Sequence, residues 1–243
     1  MTTYGLIGYP LGHSFSRKFF TEKFAKEGID AQYLNFEIPS IEEFPNIIKN
    51  NPELRGLNVT IPYKQQVMQF LDDISEEAKA IGAVNVVKVA KEGLTGYNSD
   101  VIGFVNSIKP LLKPHHKKAL ILGTGGASKA IRYGLEKKLG METLFVSRSA
   151  REGMITYEEV TAEVLKEYEV IVNCSPVGMY PHVDECPALP YEAMNESNLL
   201  YDLVYNPLET LFMKKGAAQG ATVKNGLEML HLQAIASWEF WEK

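Results

Sequence analysis

The 243 residues suffice for one large domain or two modest ones, each with its own core. With 25 basic against 30 acidic residues and no basic stripe, the chain is a poor partner for nucleic acid or an anionic membrane. No apolar run reaches the roughly 20 residues that span a bilayer and no secretory signal opens the chain, while Cys174 and Cys186 read as reduced thiols of a cytoplasmic protein.

Strand and helix signals alternate through the first hundred residues. Tyr4–Gly8 predicts a short apolar strand closed by Gly8-Tyr9-Pro10, and a cap at Ser16 or a neighbour opens a helix carrying Phe19, Phe20, Phe24 and Ala25. Ala31–Glu37 follows as a strand and Ile41–Lys49 as a helix. Leu57–Ile61 alternates apolar residues with Asn58 and Thr60 until Pro62 stops it, with Lys64 just beyond. Lys64–Leu71 and Ser75–Ile81 read as helical, and Ala83–Val89 with Leu94–Asn98 as a hairpin around Lys91-Glu92-Gly93. This order predicts a mostly parallel sheet covered on both faces.

A helix at Gly103–Leu111 runs into Lys109–Lys118, whose prolines, histidines and lysines interrupt the pattern and read as a link into a second domain. Beyond it Ala119–Leu122 is a buried strand, followed by Gly123-Thr124-Gly125-Gly126-Ala127-Ser128 and helical spacing to Leu139. Thr143–Ser147, Val170–Cys174 and Leu199–Val204 are further strands, and Thr161–Tyr168 is a helix. The last element, Leu227–Trp241, has helical apolar spacing after Asn225-Gly226.

Three stretches carry chemistry. An amide and a hydroxyl at the carboxyl end of a strand, with a lysine past it, suit a small polyhydroxylated ligand; the alternative is an edge strand with a surface lysine. The glycine turn sits between a buried strand and a helix start, where backbone N–H groups and the helix dipole receive a pyrophosphate; the alternative is a tight turn without a ligand. Ser128 occupies the third glycine position of G-x-G-x-x-G, and a small residue there still allows close helix–strand packing. The next strand ends in Ser147-Arg148-Ser149-Ala150-Arg151, two guanidinium groups and no acid, which favours a 2′-phosphate and so NADP over NAD.

Outside the nucleotide half, Ser14 and Ser16 pair two hydroxyls near a helix start, as a carboxylate site or as an N-cap. Asn85 follows Gly82-Ala83-Val84, Asp100 follows Asn98-Ser99 as a ligand or a cap, and Gln233 lies within the last helix. Taken in order, Gly8-Tyr9-Pro10 with His13–Ser16, Asn58–Lys64, Gly82–Asn85, Asn98–Asp100, Gly123–Ala127, Ser147-Arg148, Asn173–Met179, Asp202–Thr210 and Gly226–Gln233 resemble the shikimate dehydrogenase family across nearly the whole chain.

The resemblance implies an α/β protein with an N-terminal substrate-binding domain (1–101), a Rossmann-like doubly wound NADP-binding domain (102–225) and a C-terminal helix (226–243) that returns to the first domain. It implies NADPH-dependent, reversible reduction of 3-dehydroshikimate to shikimate in chorismate and aromatic amino acid biosynthesis, by a monomer or homodimer without a metal. Lys64 and Asp100 would be the catalytic pair. Ser14, Ser16 and Tyr205 would hold the substrate carboxylate, and Asn58, Thr60, Asn85, Asp100 and Gln233 its hydroxyls. Gly123, Gly125, Gly126, Ala127, Ser147, Arg148, Arg151 and Val204 would hold the cofactor, with Met179 and Gly226 near the nicotinamide.

The chain departs from the family pattern at Arg17 (usually proline), Ser99 (threonine), Val101 (glycine) and Ser147 (asparagine), and a helix after Arg148 looks truncated. A quinate/shikimate dehydrogenase using NAD and a non-catalytic NADP sensor are the rival readings. The first lacks its acid after the second nucleotide-domain strand, and the second leaves the retention of Lys64 and Asp100 unexplained.

Overall fold

The computed structural model describes residues 1–12 and 15–243. The chain divides into two compact units, Met1–Ser99 with Gln233–Lys243, and Asp100–Leu232.

The first unit is built on a six-stranded sheet of β1 (Thr2–Gly8), β2 (Ala31–Glu37), β3 (Leu54–Val59), β4 (Asp73–Ile74), β5 (Val86–Ala90) and β6 (Gly93–Tyr97), ordered β2-β1-β3-β5-β6-β4. β1 pairs in parallel with β2 and β3, whereas β5 is antiparallel to both β3 and β6. Because side chains alternate along a strand, Ile7, Leu57 and Val87 face α2 (Phe44–Asn50) and α3 (Glu76–Ile81). Tyr4, Leu6 and Val86 point the other way, to α1 (Phe15–Glu27) and the last turns of α8 (Leu227–Glu242). There Phe20 stacks on Tyr33 at 4.9 Å between ring centroids, and Trp241 on Tyr4 at 4.9 Å. Trp241 lies flat over Gly56, where any Cβ would strike the indole, and its Nε1–H donates to the Val87 carbonyl at 3.1 Å.

In the second unit all six strands run parallel: β7 (Lys118–Leu122), β8 (Glu142–Ser147), β9 (Met154–Thr156), β10 (Val170–Asn173), β11 (Leu199–Asp202) and β12 (Thr222–Lys224), in the order β12-β11-β10-β7-β8-β9. Leu120, Leu122, Ile171 and Leu200 pack on α6 (Ala162–Glu167) and α7 (Leu211–Ala218). Ala119, Ile121, Val170 and Val172 pack on α4 (Asp100–Ile108) and α5 (Gly126–Tyr133). Both faces are covered, as a parallel sheet requires.

Several element boundaries correct the sequence expectation. β3 ends at Val59 and not Ile61, so Thr60 lies past the strand, its N–H donating to the Ile7 carbonyl at 2.9 Å. Lys64–Leu71 holds only a 3₁₀ turn, Gln66–Phe70. α4 begins at Asp100 rather than Gly103. No helix separates β8 from β9; Arg148–Gly153 turns directly back and Met154 pairs with Phe145. That connection is short because β9 pairs only with the last residues of β8, so the chain has little distance to retrace.

Candidate active site

In the first unit the polar residues gather where β1 and β3 end and β5 begins. The Tyr63 hydroxyl donates to the Ile38 carbonyl at 2.5 Å from a buried position, and the Val84 N–H donates to the Lys64 carbonyl at 2.8 Å. Lys64 is thereby fixed by its backbone and by its neighbour, at the margin of the core. Gly8 must lack a side chain here, because a Cβ would meet Thr60 Cγ2 at 2.5 Å.

Behind this margin runs a chain of buried hydrogen bonds. Burial pushes the Tyr33 phenol far up from its ordinary pKa, opposed by a hydrogen bond from the Ser16 hydroxyl. Tyr33 donates to Asn58 Oδ1 at 2.8 Å, and Asn58 Nδ2 donates to Ser237 Oγ at 2.9 Å. Ser237 sits one turn after Gln233 on α8 and donates back to the Gln233 carbonyl at 2.8 Å. Ser99 Oγ lies 3.1 Å from Ser237 Oγ and 3.4 Å from Gln233 Oε1. Asn85 Nδ2 donates to Ser99 Oγ at 3.0 Å, while the Ser99 N–H donates to Asn85 Oδ1 at 2.7 Å. Asn58, Asn85 and Gln233 are thus brought together, with Ser16 joined to them through Tyr33. Ser14 lies outside the described residues. Arg17 is exposed on the first turn of α1.

In the second unit the strand order reverses between β7 and β10, and the carboxyl end of β7 opens at that switch point, where α/β sheets bind ligands. Gly123 holds a left-handed φ of +94°, and its Cα faces Ser175, whose Cβ would lie 3.3 Å from an added methyl group. Added Cβ atoms at Gly125 and Gly126 would meet nothing within 4 Å, so the turn presents bare backbone to open space at the start of α5. Ser128 fills the third glycine position by turning its hydroxyl to the Gly125 carbonyl at 2.6 Å. Ser147 is buried at the end of β8, and Arg148 and Arg151 are exposed on the turn after it. Burial raises the pKa of the Tyr157 phenol and the nearby Arg148 charge opposes that shift. These donors fit a dinucleotide carrying an extra phosphate.

Asp100 opens α4 as a buried residue, and Val101 is buried beside Gly134, 3.5 Å from where that glycine's Cβ would be. The departure at Val101 is therefore a packing contact within this unit. Met179 and Tyr205 are exposed on loops tied together where the Tyr180 N–H meets the Asn206 carbonyl at 3.0 Å. Gly226 admits no side chain, because an added Cβ would strike the Leu203 carbonyl, and its N–H donates to the Val204 carbonyl at 3.3 Å.

Sequence reasoning assigned no role to Tyr33, Ser99, Ser237 or Asp202. Asp202 is wholly buried, with Oδ1 accepting from the Val204 N–H at 3.0 Å and from Asn173 Nδ2 at 3.0 Å. A signal for Ser237 was present, since it falls four residues after Gln233 and so on the same helix face.

Among the described residues no group of three His, Cys, Asp or Glu could hold a metal ion, and no helix is long and apolar enough to cross a membrane. Residues 6–87 match the model of the shikimate dehydrogenase substrate-binding domain. The chain is 37% identical over 257 residues to a shikimate dehydrogenase (NADP(+)) of Methanococcus maripaludis, covering 98% of this chain and 90% of that protein. It superposes with a TM-score of 0.86 on the shikimate 5-dehydrogenase of Thermus thermophilus solved with NADP(H) and shikimate, at 31% identity over 99% of this chain and 93% of that one. It also superposes with a TM-score of 0.88 on a quinate dehydrogenase of Corynebacterium glutamicum in complex with NAD, at 25% identity over 99% of this chain and 93% of that one. Near-complete coverage at this identity settles the matter: the chain belongs to the shikimate dehydrogenase family.

Proposed function

We propose that this protein interconverts 3-dehydroshikimate and shikimate with NADP(H), a step toward chorismate and the aromatic amino acids. The observation that carries the reading is the buried cluster of Asn58, Asn85, Ser99 and Gln233, next to the Val84–Lys64 backbone bond, an amide- and hydroxyl-rich set that would line a recess suited to a ring bearing several hydroxyls.

In this reading Lys64 and Asp100 are the catalytic residues. Lys64 gives a proton to the carbonyl oxygen as negative charge develops on it, which typically contributes about 10²–10⁴ in rate. Asp100 and Thr60 hold ring hydroxyls, together with Asn85 and Gln233. Asn58 has both amide hydrogens directed at protein acceptors, Ser237 Oγ and, at 3.5 Å, the Asn85 carbonyl. Its part is to frame the recess, and what it can offer a ligand is the remaining lone pair of Oδ1. Ser16 receives the carboxylate by turning its proton from Tyr33 to the ligand, with Ser14 and Tyr205 completing that end.

Gly123, Gly125, Gly126 and Ala127 would hold the pyrophosphate, and Ser147, Arg148 and Arg151 the 2′-phosphate. Met179, Val204 and Gly226 would flank the nicotinamide. The cofactor supplies the hydride; the chain supplies alignment, the proton and exclusion of water.

The test is absorbance at the reduced-nicotinamide band with the purified protein, shikimate and NADP, then with quinate in place of shikimate, then with NAD in place of NADP. Turnover of shikimate with NADP above the other combinations is expected. Absence of any turnover leaves a binding protein, and a quinate–NAD preference assigns the chain to the rival activity.

A further inference from the structure

The hydrogen-bond chain behind the recess has a fixed direction, set at its two ends. At one end the Tyr33 phenol donates its single proton to Asn58 Oδ1, so the amide Nδ2 faces Ser237. At the other end, Ser237 has a single proton and spends it on the Gln233 carbonyl one helical turn back. Its Oγ is then an acceptor toward both Asn58 and Ser99. Ser99 must in turn be the donor, its proton shared between Ser237 Oγ and Gln233 Oε1, so its lone pairs are left for Asn85 Nδ2. One buried hydroxyl therefore accepts from both Asn58 and Ser99, while the Ser99 N–H fixes the Asn85 amide independently.

We propose that Ser237 is a positioning residue for substrate recognition: it accepts from Ser99 and Asn58, and through the Ser99 hydroxyl it places the Gln233 side-chain amide toward a polyhydroxylated carboxylate. The proposal rests on the shikimate reading of this recess. Ser237 touches no ligand itself; it is wholly buried and works through the groups it holds. An alanine removes the acceptor that two donors require, and buried donors without partners turn elsewhere. The Ser99 proton then turns wholly to Gln233 Oε1 and Asn58 Nδ2 keeps only its 3.5 Å contact with the Asn85 carbonyl, so the Gln233 and Asn58 side chains shift. The Asn85 amide stays held by the Ser99 N–H, and Lys64 and the nucleotide turn keep their own anchors.

The experiment is steady-state kinetics of Ser237→Ala with each substrate varied in turn, after circular dichroism has shown that the variant is folded. The KM for shikimate is expected to rise about tenfold, the loss of one well-placed hydrogen bond. The kcat should stay within about threefold and the KM for NADP within about twofold. A shikimate KM within about twofold of wild type, or both KM values rising together, overturns the proposal. Should Ser237→Ala fail to fold, Tyr33→Phe decides: it removes the donor that orients Asn58 from the opposite side, and an unchanged shikimate KM there also overturns the proposal. The wild type is assayed first. No shikimate turnover at all removes the functional reading and this proposal with it, whereas turnover with unaltered KM in the variants removes only the proposal.

Discussion

Asp202 accepts the Thr210 hydroxyl proton on Oδ2 at 2.6 Å, and this bond fastens the end of β11 to the first turn of α7. Burial raises the Asp202 pKa from 3.8 to about 6, against the lowering effect of its hydrogen bonds from Thr210, Val204 and Asn173. The folded carboxyl thus binds its proton more tightly than the unfolded chain does. Its contribution to stability is fully present below about pH 4 and is lost as pH rises to about 6, a change of about 3 kcal/mol. Asp202→Asn stays neutral throughout. Urea unfolding of both proteins, followed by far-ultraviolet circular dichroism, should show the wild-type advantage over the variant shrinking across that interval. A pH-independent difference means that the carboxyl titrates normally.

Lys64→Ala should lower kcat by about 10²–10⁴ while the shikimate KM changes only a few-fold, because a proton donor acts in the transition state. The fold should tolerate the change, since alanine preserves the backbone carbonyl that receives the Val84 N–H at 2.8 Å. A normal kcat with a raised KM identifies Lys64 as a binding residue only.

Arg148 stands on an exposed turn directly after β8, with no acidic residue between it and Arg151. Replacing it by alanine should reduce kcat/KM for NADP by about 10–100-fold, the worth of a charge-assisted hydrogen bond to a phosphate. The value for NAD, which lacks that phosphate, should barely move. Equal losses with both dinucleotides place the 2′-phosphate elsewhere.

Gly56→Ala tests the seat of the C-terminal helix. The new methyl group would collide with the Trp241 ring, which is buried and pinned by its hydrogen bond to Val87. Overpacking of this kind costs about 2 kcal/mol. Chemical unfolding should show that loss; an unaffected midpoint means that the indole yields without cost.

Most of this architecture was legible because it rests on periodicity. Ala31–Glu37 was readable to the residue, since apolar alternation and flanking turn residues coincide there. The Gly123–Ala127 turn and the arginines after β8 were readable because close backbone approach and phosphate charge each demand particular residue types. β12, Thr222–Lys224, is too short to show an alternation, and Gly216 within α7 blurs a helix whose cap, Thr210, is plain once seen. Asn58 looked like a ligand because an amide at a strand end is equally suited to holding a ligand and to holding the protein. Only the partners decide, and Tyr33 and Ser237 lie 25 and 179 positions away in sequence. No local pattern encodes a contact across that distance.

The seat of α8 has an optical consequence. The chain contains two tryptophans, Trp238 and Trp241, and both lie in the final turns of that helix. Trp241 stacks on Tyr4, and Lys23 sits over Trp238 at 5.3 Å. Indole emission therefore arises entirely from the first unit and is a native reporter of its closure around the chain's end, whereas the second unit contributes only tyrosine. Comparing the emission shift with the loss of ellipticity during unfolding would reveal, without any label, whether the two units melt as one.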